Sequence, residues 1–356
     1  MLFFNIKNSL QNEVFAVLED KVMEKMLIDV VIPTYKPGQK FLDMIDMLQK
    51  QSIKPNKIII MNTEEKYFNK IVYGSNFLKK NPNVEVFHIS KREFNHGKTR
   101  NEGARRSKAS ILVFMTDDAV PVDEHLIEEL VKPMLEKRIA VTYARQMAEK
   151  DSSEIEKFTR TYNYPERDRE QKKEDLGETG IKTYFCSNVC AAYKRYVFEK
   201  LGGFIKYTIF NEDMIFASKV LGAGRSVYYA SSARVYHTHE YSYFQHLRRN
   251  FDLAVSQADH PEIFSNVSSE KEGSKYAKAA KEYFKQKKKS FLYFPFIIQC
   301  AFRYLGYRLG LRYEKLPRWL ILKLTMNKDY WIRYWDKTDI PDNVYGGYGK
   351  GENETK

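Results

Sequence analysis

Apolar and polar positions along the chain fall into two kinds of block. Four short runs, IDVVIPTY from Ile28, KIIIM from Lys57 to Met61, VEVFHIS from Val84 and ILVFMT from Ile111, show little in-out alternation and predict strands buried on both faces, as in a parallel sheet. Between them the period becomes helical. Phe41, Leu42, Ile45 and Leu48 recur at helical spacing after the first run, and Thr99 to Ser107 open a helix after the third. Repeated strand-helix-strand units imply an α/β fold with a right-handed, mostly parallel sheet flanked by helices. Such sheets bind ligands at the carboxyl ends of their strands.

The second half reads differently. From Met147 to Lys182 the sequence is strongly charged with no sustained apolar period, which predicts a mobile surface segment or a partly helical lid. Order returns in TYFCSNVCAAYKRYVFEKLGGF, then in FNEDMIFASKVLGAG, a polar turn feeding a helix that Gly222 and Gly224 stop. Ser226 to Tyr236 has strand character and delivers His237 and His239. From Tyr243 the pattern is helical, basic and aromatic until a Gly-rich tail. The domain reading is a lead-in helix over residues 1–26, an α/β domain over 27–251, a basic amphipathic helical region over 252–340 and a flexible tail over 341–356.

Composition narrows this picture. With 356 residues, 43% of them hydrophobic and 29% charged, the chain is not disordered throughout. Lysine and arginine total 59 against 46 acidic residues, a net charge of +13 that calls for an anionic partner without choosing among nucleic acid, a phosphorylated small molecule and a membrane. Three cysteines, Cys186, Cys190 and Cys300, build neither a disulfide framework nor a zinc site. The amino terminus lacks the basic flank and cleavage site of a secretory signal, and the longest apolar stretch, Phe291 to Phe302, falls short of the roughly 20 residues that cross a bilayer. The expected location is the cytoplasm.

Four clusters carry candidate chemistry. Asp117 and Asp118 leave a buried strand together, as a simple turn or as oxygen ligands for a hard divalent cation. Glu212 and Asp213 follow Asn211 in the first turn of a helix, where carboxylates are favoured by free N–H groups, the reading that spacing alone prefers; the alternative is that one of them points outward as an ionised general base. His237 and His239 are two residues apart and face one side if the strand continues through them. In FNHGKTRNEGA, which includes His96, Gly97 and Gly103 flank Lys98, Arg100 and Asn101 around a helix start, a setting that suits a diphosphate.

The order of these clusters is more specific than any one of them. A strand ending in Pro33-Thr34-Tyr35, a strand ending in Asp117-Asp118 about 80 residues on, Glu212-Asp213 about 95 further and His237 some 24 beyond resemble the family 2 glycosyltransferases of GT-A fold. The resemblance spans Ile28 to about Phe251, and FNHGKTRNEGA, TDDAVP, NEDMIFASKVLGAG and VYHTHEYS most resemble bacterial rhamnosyltransferases of cell-surface polysaccharide assembly. It implies that Pro33, Thr34 and Tyr35 line the base and ribose, that Asp117 lies near the ribose, and that Asp118 binds the Mg2+ or Mn2+ bridging the diphosphate. His237 would be a further metal ligand, with His239 as neighbour or substitute. Asp213 would be the catalytic base of an inverting displacement. Glu212 is implied in acceptor binding or the helix start, and Arg248 and Arg249 of QHLRR near the diphosphate or acceptor. The second strand departs from the pattern: in place of its usual aspartate stand Asn62 and, after a shift, Glu64.

The resemblance further implies a dTDP- or UDP-sugar donor, dTDP-rhamnose foremost, and a lipid-linked or polysaccharide acceptor. A UDP-hexose or UDP-HexNAc transferase and a non-catalytic assembly subunit are the alternatives. The charge excess has its own location. From Lys271 to Lys323 there are fourteen basic residues and three acidic ones, a net +11, interleaved with aromatics. A basic amphipathic helix of this kind reads as a membrane-surface element on the inner face of the cell membrane. At roughly 1 kcal/mol per basic residue, half of the net +6 within Lys271 to Lys289 is worth about 3 kcal/mol, on the order of 100-fold enrichment. A solvated helix that forms a homo-oligomer through its apolar face is the competing account. Without a nucleic-acid-binding motif, the charge does not require a nucleic-acid partner.

Overall fold

The computed structural model describes Met23, residues 26–265 and residues 270–336. Of the lead-in predicted for residues 1–26, all but Met23 and Met26 lies outside the described residues, as does the tail predicted for 341–356. The strands are β1 (Ile28–Tyr35), β2 (Lys57–Thr63), β3 (Val84–Ile89), β4 (Ile111–Met115), β5 (Val120–Pro121), β6 (Ile139–Met147), β7 (Arg169–Gln171), β8 (Cys190–Lys194) and β9 (Ser226–Tyr236). They form one sheet in the order β3-β2-β1-β4-β8-β6-β9-β5, with β7 added on β9. Through β4 the pairings are parallel, as the β-branched runs predict.

Beyond β4 the sheet is mixed. β8 runs antiparallel to both β4 and β6, β6 and β9 are parallel, and β5 and β7 each pair antiparallel with β9. An apolar run reveals burial but not direction, and all five residues of β8 (CAAYK) are buried whichever way they run. The core is built on Val30, Ile32, Ile58, Ile60 and Val113, with Phe41, Met44, Ile45 and Leu48 of α1 (Gln39–Gln49) packed against them.

The charged stretch after Met147 is partly helical, as one of its two readings has it, and also carries a strand. Helix α3 (Glu154–Asn163) follows α2 (His96–Arg106) in the sequence and starts at Ser153, whose hydroxyl accepts from the Glu156 amide at 3.2 Å. β7 then joins the sheet. Gln171 is buried and its amide nitrogen donates to the carbonyls of Lys182, Thr183 and Phe185 at 3.1, 2.9 and 2.8 Å. One polar side chain thus holds a loop that offers little apolar area, which explains why hydrophobic periodicity does not reveal it.

The chain divides into two compact units. The first comprises residues up to Lys91, Glu102–Gly203 and Ala217–Thr238, and holds the sheet. The second comprises Arg92–Asn101, Phe204–Phe216 and the residues from His239 onward. Its helices include the first turns of α4 (Glu212–Gly222), then α5 (Tyr243–Ala258), α6 (Glu270–Gln286) and α7 (Tyr293–Gly310). α7 crosses α5 at glycines. A Cβ on Gly306 would stand 2.1 Å from the Leu247 carbonyl oxygen, and one on Gly310 2.3 Å from that of Phe251. A separate apolar cluster in this unit gathers Ile209, Phe251, Val255, Tyr313, Ile321, Tyr330 and Trp331. Among the described residues no helix is long and apolar enough to cross a membrane.

Candidate active site

In the first unit the carboxyl ends of β1, β2 and β4 are adjacent, and polar side chains collect there. Thr34 stands opposite Asn62 in the parallel register and Tyr35 opposite Thr63. Thr34 Oγ1, Asn62 Oδ1, Thr63 Oγ1 and Thr116 Oγ1 are buried oxygens without a hydrogen-bond partner in the structure. Each such group costs about 1–3 kcal/mol if left unmet, so four at one set of strand ends mark a place built to meet polar ligand atoms or ordered water. Lys36 and Glu64, the residues immediately beyond β1 and β2, have positive φ of 53° and 66°, strain of the kind found where a chain is bent around a site.

The strand-end residues are tied to one another. The Tyr35 amide donates to Asp117 Oδ2 at 3.2 Å, which joins the end of β1 to the turn after β4. Tyr35 is exposed, meets Tyr67 edge to face at 5.6 Å, and Lys36 Nζ lies 5.1 and 5.0 Å from the two rings. Asn62 contacts His88 Nδ1 at 2.9 Å through Nδ2. Glu64 Oε1 accepts from the Lys91 amide at 2.8 Å. Of the two residues offered for the missing aspartate, Asn62 therefore has the unmatched oxygen and Glu64 is engaged by the backbone beyond β3.

Asp118, His237 and His239 form the one group among the described residues whose side chains suit a metal ion, with ligand atoms within 4.8 Å of one another. β9 ends at Tyr236, and His237 is held just beyond it by its amide, which donates to the Met147 carbonyl at 3.1 Å. His237 is buried, with Nε2 3.4 Å from Asp118 Oδ1 and Nδ1 2.9 Å from Gln146 Oε1. Arg160 Nη1 also reaches Gln146 Oε1, at 2.5 Å, and because a guanidinium only donates, this fixes which end of the amide is oxygen. The same amide nitrogen donates to Tyr164 Oη and Ser187 Oγ at 2.5 and 2.9 Å.

His237 Nδ1 must therefore carry a proton, and in the neutral ring Nε2 turns its lone pair toward the Asp118 carboxylate. Two electron-rich atoms at that separation repel unless a metal ion, or a second proton that makes the ring an imidazolium, stands between them. A carboxylate with imidazole nitrogens is a donor set that suits Mn2+ and other first-row ions better than Mg2+, so the residues present fit the metal. Gln146, which holds the tautomer, is not apparent from the sequence. Its only signal there is a polar residue near the end of the otherwise apolar run IAVTYARQM.

The second unit contains the remaining candidates. Asn211 precedes α4 in the left-handed region at φ 63°, and its side chain donates to the Leu253 carbonyl at 3.2 Å, so its amide ties α4 to α5. Glu212 is buried in an ion pair with Arg100, Nη1 to Oε1 3.1 Å, with only 5% and 8% of the two side chains exposed. Asp213 is half-buried, and its Oδ1 accepts from the Met214 amide at 2.8 Å. The pair is thus split between a buried ion pair and a carboxylate with access to solvent.

His96 lies against the same ion pair. Desolvation lowers its pKa; Glu212 opposes that effect, while Arg100 and Arg249 add to it. Gly97 has a packing reason, since a Cβ there would lie 1.8 Å from the Ile205 carbonyl oxygen. Asn101 accepts from the Phe204 amide at 3.0 Å and donates to its carbonyl at 2.7 Å. Arg249 lies 4.8 Å from the Phe210 ring and 5.8 Å from the Tyr241 ring, whereas Arg248 donates to the Lys323 carbonyl at 3.0 Å.

These features define a class first. The fold is that of the GT-A glycosyltransferases: the mannosyltransferase PcManGT from Pyrobaculum calidifontis, solved in complex with GDP-Man and Mn2+, superposes with a TM-score of 0.52 over 88% of each chain at 13% identity. Residues 29–202 match the family described as Glycosyl transferase family 2. Over 322 residues the chain is 34% identical to the O-antigen chain rhamnosyltransferase RfbN of Salmonella typhimurium, covering 88% of this chain and 100% of the relative. It is 32% identical to the O-antigen chain rhamnosyltransferase WbaN of Salmonella anatum, covering 87% and 98%. The chain belongs to the family 2 glycosyltransferases.

Proposed function

We propose that this enzyme transfers L-rhamnose from dTDP-rhamnose to a hydroxyl of a lipid-linked or polysaccharide acceptor, with inversion at the anomeric carbon, during cell-surface glycan synthesis. The identity to two O-antigen rhamnosyltransferases over nearly their whole lengths is the observation that carries the choice of sugar. Pro33, Thr34, Tyr35 and Asn62 contact the base and ribose, where the unmatched oxygens favour a polar pyrimidine edge. Asp117 holds the ribose side, positioned through the Tyr35 amide. Asp118, His237 and His239 hold Mn2+ or Mg2+, which when bound neutralises charge on the departing diphosphate as a Lewis acid.

Asp213 removes the proton from the acceptor hydroxyl as it attacks. Its half-burial leaves it reachable by an acceptor, while Glu212 is engaged with Arg100. Glu212 and Arg100 act by fixing the first turn of α4, and Arg249 supplies positive charge toward diphosphate or acceptor. The work site is the cytoplasmic face of the membrane, where a lipid-linked acceptor would be presented, with the protein peripheral to the bilayer. The testing experiment is a panel of dTDP- and UDP-sugars with Mn2+ or Mg2+, scored by thermal protection and slow donor hydrolysis. Preference for dTDP-rhamnose is expected; preference for a UDP-sugar overturns the donor, and no response to any of them overturns the proposed function. Asp213→Asn should abolish transfer with donor protection nearly intact, and near-normal transfer by that variant would displace Asp213 as the base.

A further inference from the structure

The two faces of α7 differ in a way that its packing fixes. On one side Phe296, Gln299, Gly306 and Gly310 are buried, and the two glycines bring the helix against the carbonyls of Leu247 and Phe251 on α5. That contact leaves no freedom to rotate α7, because any side chain larger than hydrogen at those positions collides with backbone. The opposite face is consequently held outward. It carries Phe294, Ala301, Tyr304 and Leu305, spaced for one side of a helix and all exposed.

Further apolar groups extend this face. Phe291, just before α7, is 72% exposed and Phe294 73%. Phe244 of α5, 65% exposed, sits edge to face with Phe302 of α7 at 5.3 Å. Single exposed hydrophobics are ordinary, but a contiguous run of large aromatics is not. α6 docks on the Phe296 side of α7, with Tyr276 and Phe284 against that ring at 5.2 and 5.8 Å. Its outer positions and the turn that follows present Lys278, Lys281, Lys285, Lys287 and Lys288, all exposed.

We propose that this face of α7, with the lysines of α6 and the turn before Phe291, is a docking surface for an anionic phospholipid bilayer. Phe291, Phe294, Tyr304 and Leu305 enter the headgroup-acyl boundary, and the lysines lie at the level of the lipid phosphates. The inference deepens the peripheral location proposed above, on which it rests, by naming the surface and its partner. Charge decides the occupant. Lys285, Lys287 and Lys288 precede exposed Phe291 by three to six residues and Arg308 lies 5.9 Å from the Tyr304 ring, and a layer of lipid phosphates neutralises such a cluster. Aromatic side chains beside basic ones are also the composition of interfacial helices.

The test uses the full chain with sedimenting vesicles of phosphatidylcholine, with and without phosphatidylglycerol, at low and high salt. The wild type should partition at least roughly tenfold more strongly onto the anionic vesicles, and high salt should erase most of that preference. Phe291→Ser with Phe294→Ser should weaken binding to anionic vesicles by roughly tenfold or more. Lys285→Glu with Lys287→Glu and Lys288→Glu should abolish the preference for anionic lipid. Both variants should retain donor hydrolysis, which reports the transferase site independently of the membrane. The proposal is overturned if the wild type ignores anionic vesicles, or if neither set of substitutions changes binding. It is equally overturned if light scattering shows a dimer that the phenylalanine substitutions dissociate while vesicle binding is absent.

Discussion

The most searching prediction concerns Gln146, a residue that would touch neither donor nor metal. Gln146→Met keeps the length and volume of the side chain and deletes the oxygen that receives His237 Nδ1 at 2.9 Å. Two effects follow for any ion held by Nε2. With no acceptor on Nδ1, the neutral ring can place its proton on either nitrogen, which alone lowers the ligating population only about twofold. The larger effect is that the ring loses the contact that fixes its plane relative to Asp118. Partners of this type are typically worth 10–100-fold in metal affinity, or about 1.4–2.8 kcal/mol.

The same substitution strips partners from Arg160, Tyr164 and Ser187, so some loss of stability accompanies it. Gln146→Glu separates the two effects. A carboxylate still accepts from Nδ1 and from Arg160, and the hydroxyls of Tyr164 and Ser187 can rotate to donate to it. The assay is titration of free Mn2+ by electron paramagnetic resonance, with the melting temperature of each variant as control. The Met variant should lose at least roughly tenfold in Mn2+ affinity and the Glu variant only a few-fold. Wild-type affinity in a folded Gln146→Met protein, or equal losses in both variants, would falsify the tautomer argument.

Other consequences can be checked alongside. Gly306→Ala places a methyl 2.1 Å from the Leu247 carbonyl oxygen and should lower stability by about 1–3 kcal/mol, read as a reduced denaturant midpoint. Asp252 is buried with Oδ1 accepting from Thr325 Oγ1 at 2.6 Å and Oδ2 from the Met326 amide at 2.8 Å, and desolvation pushes its pKa up to about 7 despite those bonds. The folded state therefore keeps a proton there that the unfolded chain releases near the ordinary aspartate value of 3.8, so this group's contribution favours the fold at low pH and declines as pH rises toward 7. Asp252→Asn should flatten that part of the stability profile by an amount on the order of a few kcal/mol, measured as the wild-type minus variant difference in unfolding free energy across the range.

Much of the first unit is legible in the sequence because its information is local. Strands β1, β2, β3 and β4 announce themselves as β-branched runs, and a chain of strand-helix-strand units leaves few topologies. Strand β9 falls at Ser226–Tyr236, with His237 held at its end by the ladder, since the same run of apolar residues feeds both. The antiparallel course of β8 is not legible, because burial patterns are blind to direction. Nor is the ordering of residues 154–185, where the stabilising contacts are polar and long-range, such as Gln171 to three carbonyls and Asp168 to the amide and hydroxyl of Ser231. Polar networks of this kind leave no period in the sequence.

The carboxylates divide along the same line. Asp117 and Asp118 are adjacent in sequence, as are Glu212 and Asp213, and residue type alone offers both members of a pair the same two readings. Three-dimensional partners give them four. Asp117 accepts a backbone amide from the end of β1, Asp118 faces a histidine whose proton is fixed on its far side, Glu212 is neutralised by Arg100, and Asp213 keeps access to solvent at the start of α4. A base must remain ionised yet reachable, and a buried carboxylate locked to a guanidinium is ionised but unreachable. Of the second pair, Glu212 lies in that buried ion pair and Asp213 is half-buried at the helix start. The partner of Glu212 is Arg100, more than a hundred residues away along the chain, which places the ion pair beyond the reach of any reading confined to the motif itself.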